Sequence, residues 1–424
     1  MINYITTQFG GASDLSRREI DGGTLLYIDG LAGNFYVAAF ESGVPRRADK
    51  VTDNPGSAIE ELLMGNVVIV RGKTAEVYDC KAFPTRSVSE PSGENVVKGA
   101  KDAFVESLRV NTALVRRKIK NPKLRFASVT VGARSSTPVA VVWLDGVTSS
   151  ATVDEILRRL NAITSDALLT ASQLEEQIAD NKLTPFPQLV CTERSDKFCA
   201  GLVAGRAGIL IDGLPLSYLA PCAFGEFMRA PEDFSQNYLS ASLITVLRYA
   251  ALFLSLALPA IYLSLVCFHQ EMLPSALALS IIEAKKDVPF NSLIEVFGML
   301  IALETLLEAG LRLPKPIGQT VSLVGALVVG QAAVEAKFVS PAVVIIIAMT
   351  GIAGFTAPNQ DMSAAIRLFR FALTALAALW GLFGVALGLI LIVYHLAGMK
   401  SFGTDYLAPS HILRPPLPPK RRKK

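Results

Sequence analysis

Between residues 249 and 397 the chain carries long uncharged apolar runs in close succession, and no other feature constrains its fold as strongly. A helix needs about 20 apolar residues to cross the ~30 Å hydrocarbon core of a bilayer. Residues 249–268, 316–334, 338–357 and 371–394 contain no charged side chain. Residues 293–310 are apolar apart from Glu295, Glu304 and Glu308. These five candidate membrane blocks, following one another, argue against core helices of a soluble protein. The stretch 272–284 is too short to span and reads as an interfacial segment. Block 316–334 holds Gln319, Thr320, Ser322, Gln331 and several glycines. It reads as re-entrant or broken, because irregular backbone at membrane depth needs cover from protein or a water-filled cavity. The expectation is a membrane domain over residues 239–398 with four to six segments, four crossings plus one re-entrant segment being the preferred count.

Basic residues in short loops orient such a bundle. With the N-terminus inside, five crossings put Arg312, Lys315, Arg367 and Arg370 inside, as the rule requires. The same count puts the run Lys420-Arg421-Arg422-Lys423-Lys424 outside, and an even count reverses that. Residues 399–424 read as a proline-rich polybasic tail suited to an anionic leaflet.

Ionisable residues inside the blocks are the candidate site. A charge at mid-bilayer costs at least ~2.5 kcal/mol, so it usually faces a bundle interior or aqueous cavity. Glu304, Glu308 and Arg312 are spaced by four and share a helix face, in the favourable Glu-to-Arg order. They form either a structural ion pair near the membrane surface or the lining of a pore or ion path, with Gln319, Gln331 and Glu335 as further lining candidates. Glu295, nine positions before Glu304, faces away in a continuous helix. Gly318, Gly325, Gly330, Gly384 and Gly388 are candidate helix-packing positions. The Gly384/Gly388 GxxxG permits close approach within or between subunits.

Residues 1–238 read as an ordinary mixed globular sequence without a signal peptide, expected to stay in the cytoplasm. They divide into a first α/β subdomain (1–86), a turn-rich linker (87–101) and a second α/β subdomain (102–238). Strands are expected at 25–30, 34–40, 67–70, 75–78, 126–131, 139–144 and 209–211. Helices are expected at 57–64, with Asn54 or Ser57 near its start, at 102–120 and at 152–163. Arg116, Arg117, Lys118 and Lys120 read as a solvated face, or one turned to anionic lipid or a partner. Thr152 with Glu155, and Ser172 with Glu175, fit capping boxes. The alternation argues for an α/β or α+β fold.

No glycine-rich nucleotide loop follows a strand. The net charge of +4 gives no reason to expect nucleic acid. Cys80, Cys191, Cys199, Cys222 and Cys267 form no CxxC, so neither zinc nor a disulfide framework is signalled. The three histidines, His269, His395 and His411, belong to no HExxH or other catalytic constellation. No catalytic residue, metal or cofactor is assigned, and the chain is not read as an enzyme.

One stretch, Glu308-Ala309-Gly310-Leu311-Arg312-Leu313-Pro314-Lys315-Pro316-Ile317-Gly318-Gln319, resembles the signature of the GerA family of spore germination proteins. The likeness continues through residues 324–336 and Val339-Ser340-Pro341. It includes Thr192-Glu193-Arg194, Gly205-Arg206, Ile211-Asp212-Gly213-Leu214-Pro215, Pro231-Glu232-Asp233 and residues 268–274. Ser89-Glu90-Pro91 and residues 111–120 fit as well. Leu307 stands where the family usually has arginine, and Ser195 where it has proline. The resemblance implies a two-part cytosolic N-terminal region followed by an all-α multi-spanning membrane bundle. It also implies a germinant-receptor subunit in the spore inner membrane that couples nutrient sensing to ion release as an oligomeric, channel-like assembly. The implied partners are a transporter-like B subunit, a lipoprotein C subunit, further copies of the chain and membrane lipid. The alternatives are a secondary transporter, or a sporulation-specific relative similar to stage V sporulation protein AF.

Overall fold

In the computed structural model, residues 1–44, 47–82, 94, 96, 99–312 and 330–408 are described. They form two compact units. The first comprises Met1–Leu183, Gln188–Ala223 and Lys400–Ala408; the second comprises Thr184–Pro187 and Phe224–Met399 among the described residues.

The first unit contains two five-stranded sheets, one in each expected subdomain. The first sheet runs β1 (Leu15–Ile20), β2 (Gly23–Ile28), β4 (Val67–Arg71), β5 (Thr74–Tyr78), β3 (Lys50–Thr52), with every pairing antiparallel. Alternate residues of a strand point to opposite faces, and here both faces are covered. Leu26, Ile28, Val68 and Val70 pack under α1 (Ile2–Phe9) and α3 (Pro55–Leu63). Leu25, Tyr27, Val67 and Ile69 pack under α2 (Asn34–Glu41). Such two-sided burial explains why β4 is a continuous apolar run. Asn54 caps α3 by accepting from the Gly56 amide at 2.9 Å.

Residues 34–40, expected as a strand, are the helix α2. Its apolar side chains Val37 and Phe40 are three apart and bury one stripe. A short apolar run does not separate the two periods, and packing over the sheet decides.

The second sheet runs β6 (Leu124–Val131), β7 (Thr137–Leu144), β9 (Ala207–Ile211), β10 (Ser217–Ala220), β8 (Val190–Thr192), again antiparallel throughout. Helices α5 (Ser150–Asn161) and α6 (Ala171–Ile178) bury Ile156, Leu160, Leu174 and Ile178 against one face. On the other face, α7 (Ser195–Val203) sets the Phe198 ring where a side chain at Gly208 would otherwise be, 2.1 Å from an added Cβ.

Both expected caps are displaced. The N-cap of α5 is Ser149, without a side-chain bond, and Glu155 instead accepts from Arg158 and Arg159 at 2.6–2.7 Å. The capping box of α6 is Thr170 with Gln173. Glu94, inside the expected linker, is anchored: its backbone amide donates to Glu193 Oε1 at 2.8 Å and its carbonyl accepts from Arg194 at 3.0 Å.

Helix α4 (Leu108–Lys118) corrects the solvated-face expectation at one residue. Arg116 is fully buried. Its Nε and Nη2 donate to the Asp14 carboxylate at 2.7 Å, and its remaining donors reach the carbonyls of Asn121 and Leu124 at 3.0 and 3.1 Å. Burial pushes the Asp14 carboxyl above its ordinary range, against the pull of Arg116.

Residues 400–408 lie inside the expected tail yet complete this unit. A two-stranded ribbon, Lys400–Ser401 with Thr404–Asp405, carries Phe402 into the core formed with β7, β9 and α5. Arg159 lies 4.4 Å over that ring, and the Phe402 amide donates to Asp180 at 2.6 Å. Tyr406 is fully buried.

The second unit is helical: α8 (Tyr238–Cys267), α9 (Ser275–Lys285), α10 (Ser292–Arg312), α11 (Pro341–Gly354) and α12 (Gln360–Gly398), with a further helical stretch at 330–335. The expected interfacial segment is a 3-10 turn, Gln270–Met272, followed by α9, which buries none of its residues. Val296 and Leu300 of α10 and Val343 and Ile347 of α11 pack on Tyr262, Leu263 and Val266. The other end of α11, Gly354, lies beside Ser255, 3.1 Å from an added Cβ, so α11 runs antiparallel to α8.

The block 371–394, expected as one span, is broken. Gly381 has φ 60° and ψ −141°, outside the helical region and open mainly to glycine. There the chain reverses, and α12 is a hairpin of two arms, 360–380 and 382–398. Gly384 and Gly388 lie against Leu376 and Leu373 of the first arm, with added-Cβ distances of 2.1 and 2.4 Å. Residues 8 and 15 positions apart on a straight helix would be about 12 and 22 Å apart. The GxxxG therefore works within the chain, closing the two arms.

Candidate functional site

The carboxylate of Glu304 lies among helices long and apolar enough to meet lipid, so its partners decide what it can do. The α12 arm 360–380 presents Arg367 and Arg370, three apart and on one face. Arg367 Nη1 lies 2.9 Å from Glu304 Oε1, and Arg370 Nη2 lies 3.5 Å from Glu304 Oε2. Arg370 is 1% exposed, whereas the Glu304 side chain is 37% exposed. The carboxylate is thus partly open and Arg370 enclosed, with the Arg367 side chain, 25% exposed, between the two.

Two guanidinium groups share one carboxylate, which leaves one positive charge uncompensated within the cluster. Among the described residues, Arg367 Nε, Arg370 Nε and Nη2, and Glu304 Oε2 make no hydrogen bond of good geometry. Buried polar atoms are nearly always satisfied, which makes these the candidate contact atoms of the cluster. With the Glu304 side chain 37% exposed, solvent screening limits such a pair to about 0–1 kcal/mol, so the cluster orients α10 beside the first arm of α12 more than it anchors it.

The other expected site residues distribute as follows. Glu308 is exposed on the next turn of α10. The side chain of Arg312, and Gly318, Gln319 and Gly325, lie outside what is described. Gln331 and Glu335 are exposed and bond to each other at 2.9 Å on the separate stretch 330–335. Gly330 lies within ordinary contact of Val344, at 3.5 Å from an added Cβ. The structure therefore brings Glu304 to Arg367 and Arg370, two residues read from the sequence only as orientation charges. Their spacing, just before a long uncharged stretch, was the available signal.

By length and composition, Tyr238–Cys267 is long and apolar enough to cross a membrane, and so is the stretch Gln360–Gly398, which the Gly381 turn divides into two arms. The helices of this unit expose many large apolar side chains, among them Leu239, Leu243, Ile345, Ile352, Phe383, Ile390 and Tyr394.

Comparison with known proteins places these features in a family. Residues 12–416 match the family described as Bacillus/Clostridium GerA spore germination protein. Spore germination protein A1 of Bacillus subtilis (strain 168) is 40% identical over 373 residues, 87% of this chain and 77% of that protein. Spore germination protein B1 of the same strain is 36% identical over 409 residues, 91% of this chain and 84% of its own. The uncharacterized membrane protein YfkQ of that strain is 38% identical over 434 residues, 96% of this chain and 85% of its own. Among solved structures, the N-terminal domain of the A subunit of the Bacillus megaterium spore germinant receptor GerK3 matches with a TM-score of 0.39 and 24% identity. That match covers 53% of this chain and 94% of that one.

Proposed function

We propose, since this chain belongs to the GerA family of spore germination proteins, that it is the A-type membrane subunit of a spore germinant receptor. The observation that carries this reading is the family match from residue 12 to residue 416, which takes in both the soluble unit and the helices. In this reading the protein sits in the spore inner membrane with its N-terminal unit in the cytoplasm. It assembles with further copies of itself, with a transporter-like B subunit and with a lipoprotein C subunit, and it couples nutrient binding to release of ions.

The exposed apolar side chains of α8, α11 and α12 support burial in lipid or against neighbouring subunits, since such a surface in water would drive association. The chain leaves the first unit at Ala223 and rejoins it at Lys400. A soluble unit fed from both ends favours an even number of crossings, which puts the polybasic tail on the cytoplasmic side, in line with the positive-inside rule. The Gly381 hairpin contributes two of the passes. Its arms are roughly 30 and 25 Å long at 1.5 Å per residue. The Glu304–Arg367–Arg370 cluster supplies the polar element that an ion path through such a bundle needs, with Glu308 exposed one turn further along α10; Gln331 and Glu335, on a stretch beside the start of α11, would line the same path at a different depth.

The test is genetic and physiological. Spores lacking this chain are compared with the parent for monovalent cation release after exposure to a panel of amino acids, sugars and nucleosides. Loss of the response to at least one nutrient is expected. An unchanged response to every nutrient, in spores shown to make the protein before deletion, overturns the assignment.

A further inference from the structure

At the opposite end of α10 from Glu308, a second carboxylate is buried among oxygens from three helices. The Glu295 side chain is fully enclosed. Its Oε2 accepts the Ser340 backbone amide at 2.8 Å, at the N-terminus of α11. Among the described residues Oε1 makes no hydrogen bond of good geometry; the Ser340 and Tyr262 hydroxyls, on residues 0% and 7% exposed, lie close to each other but are otherwise unsatisfied. The cation that balances Glu295 is Lys285, whose Nζ lies 3.2 Å from Oε1 and also meets the Ser292 hydroxyl. Lys285 is the last residue of α9, the helix that buries nothing.

We propose that Glu295 Oε1, Ser340 Oγ and Tyr262 Oη form a binding site for a monovalent alkali cation, and that the Lys285 ammonium is a tethered competitor for it. The chemistry favours this ligand class. Alkali cations take hard oxygen donors, and the three oxygens come from α8, α10 and the cap of α11. One carboxylate with two neutral hydroxyls balances one positive charge; a divalent ion would leave an excess charge buried, which is heavily penalised. Buried oxygens are nearly always satisfied, and a small cation could meet the carboxylate oxygen and both hydroxyls at once, whereas the Lys285 ammonium engages the carboxylate and Ser292. Lys285 can fill that role reversibly because the helix carrying it buries no residue fully and meets the core through the partly buried Ile281.

A tethered group competes at an effective concentration of about millimolar or more, so removing it exposes the site. The experiment uses the full chain purified in detergent and measures equilibrium binding of ²²Na⁺ and of ⁸⁶Rb⁺ as the potassium tracer. Lys285→Met is expected to bind one of the two at least about tenfold more tightly than the wild type, and Lys285→Met/Glu295→Gln is expected not to bind. Equal binding by Lys285→Met and the double variant overturns the site. Should Lys285→Met not fold, the wild type, Ser340→Ala and Tyr262→Phe are compared by unfolding midpoint in sodium or potassium chloride against N-methylglucamine chloride at equal ionic strength. A rise in the wild type that both variants lose supports the proposal. No rise in the wild type, or one kept by both variants, overturns it. Neither measurement requires the protein to conduct, so the result is independent of the ion path at Glu304.

Discussion

Gly384→Ala tests the hairpin, on which the arrangement of the last helices rests. An alanine Cβ at this position would lie 2.1 Å from the Leu376 carbonyl oxygen, 2.6 Å from its carbonyl carbon and 3.2 Å from the Ala377 amide nitrogen. All three are backbone atoms of the facing arm, so no change of rotamer relieves the clash. Restoring a contact of about 3.5 Å means moving the arms apart by more than about 1 Å. Overpacking of this kind costs about 1–3 kcal/mol, and it works against the ~1 kcal/mol that alanine gains over glycine within a helix. The net expectation is a loss of up to about 2 kcal/mol. Were residues 360–398 one straight helix, the clash would vanish and the same substitution would stabilise by about 1 kcal/mol. The assay is unfolding of the detergent-purified chain by increasing dodecyl sulfate, read by Trp380 fluorescence in a Trp143→Phe background. Trp380 adjoins the turn and reports on the arms directly. A Gly384→Ala variant more stable than the parent by about 1 kcal/mol refutes the hairpin.

Two predictions concern the soluble unit. Arg116→Met leaves the buried Asp14 carboxylate without its partner and is expected to cost about 3–5 kcal/mol. Asp14→Leu in addition should recover much of that, and urea unfolding followed by Trp143 fluorescence in a Trp380→Phe background measures both; a loss under about 1 kcal/mol for Arg116→Met contradicts the pairing. Glu155 is held at about 2, below its ordinary value near 4.5, first by the hydrogen bond from Arg158 and then by that from Arg159. Its contribution is therefore complete above pH ~4.5 and is lost as pH falls toward 2. Glu155→Gln should flatten the stability profile in that window alone, and an identical acid limb in parent and variant would show that the arginines do not hold it.

Much of the soluble unit was legible because its elements carry their own period. The short apolar runs in β4 and β7, each ended by a turn residue, Gly72 and Gly146, are local signals. Helix α3 announced itself through Asn54 at its start. Residues 34–40 were not legible, because an eight-residue helix with Val37 and Phe40 inward reads equally well as a strand until the sheet beneath it is known. The caps were displaced for a related reason: Glu155 satisfies the capping pattern, but two arginines on its own helix outcompete a backbone amide for it.

The candidate site was half visible. Glu304 stood out as a carboxylate in an apolar block, since charge in lipid is costly. Its partners could not be read, because Arg367 lies 63 positions away and only the return of the chain along α12 brings it near. Likewise nothing local marks Arg116 as the partner of Asp14, 102 positions distant. Hydropathy averages over Gly381, so a turn made by one left-handed glycine inside 24 uncharged residues leaves no trace in it. The spacing of Gly384 and Gly388 recorded the close approach, though not which helix approaches.

Glu304→Gln tests the proposed ion path most directly. The substitution keeps the side chain's shape and removes the charge that Arg367 and Arg370 share. In spores where the proposed receptor containing this chain alone answers a given nutrient, the account predicts monovalent cation release slowed several-fold or more, with the protein present at parental abundance. Release at the parental rate with parental abundance would contradict it.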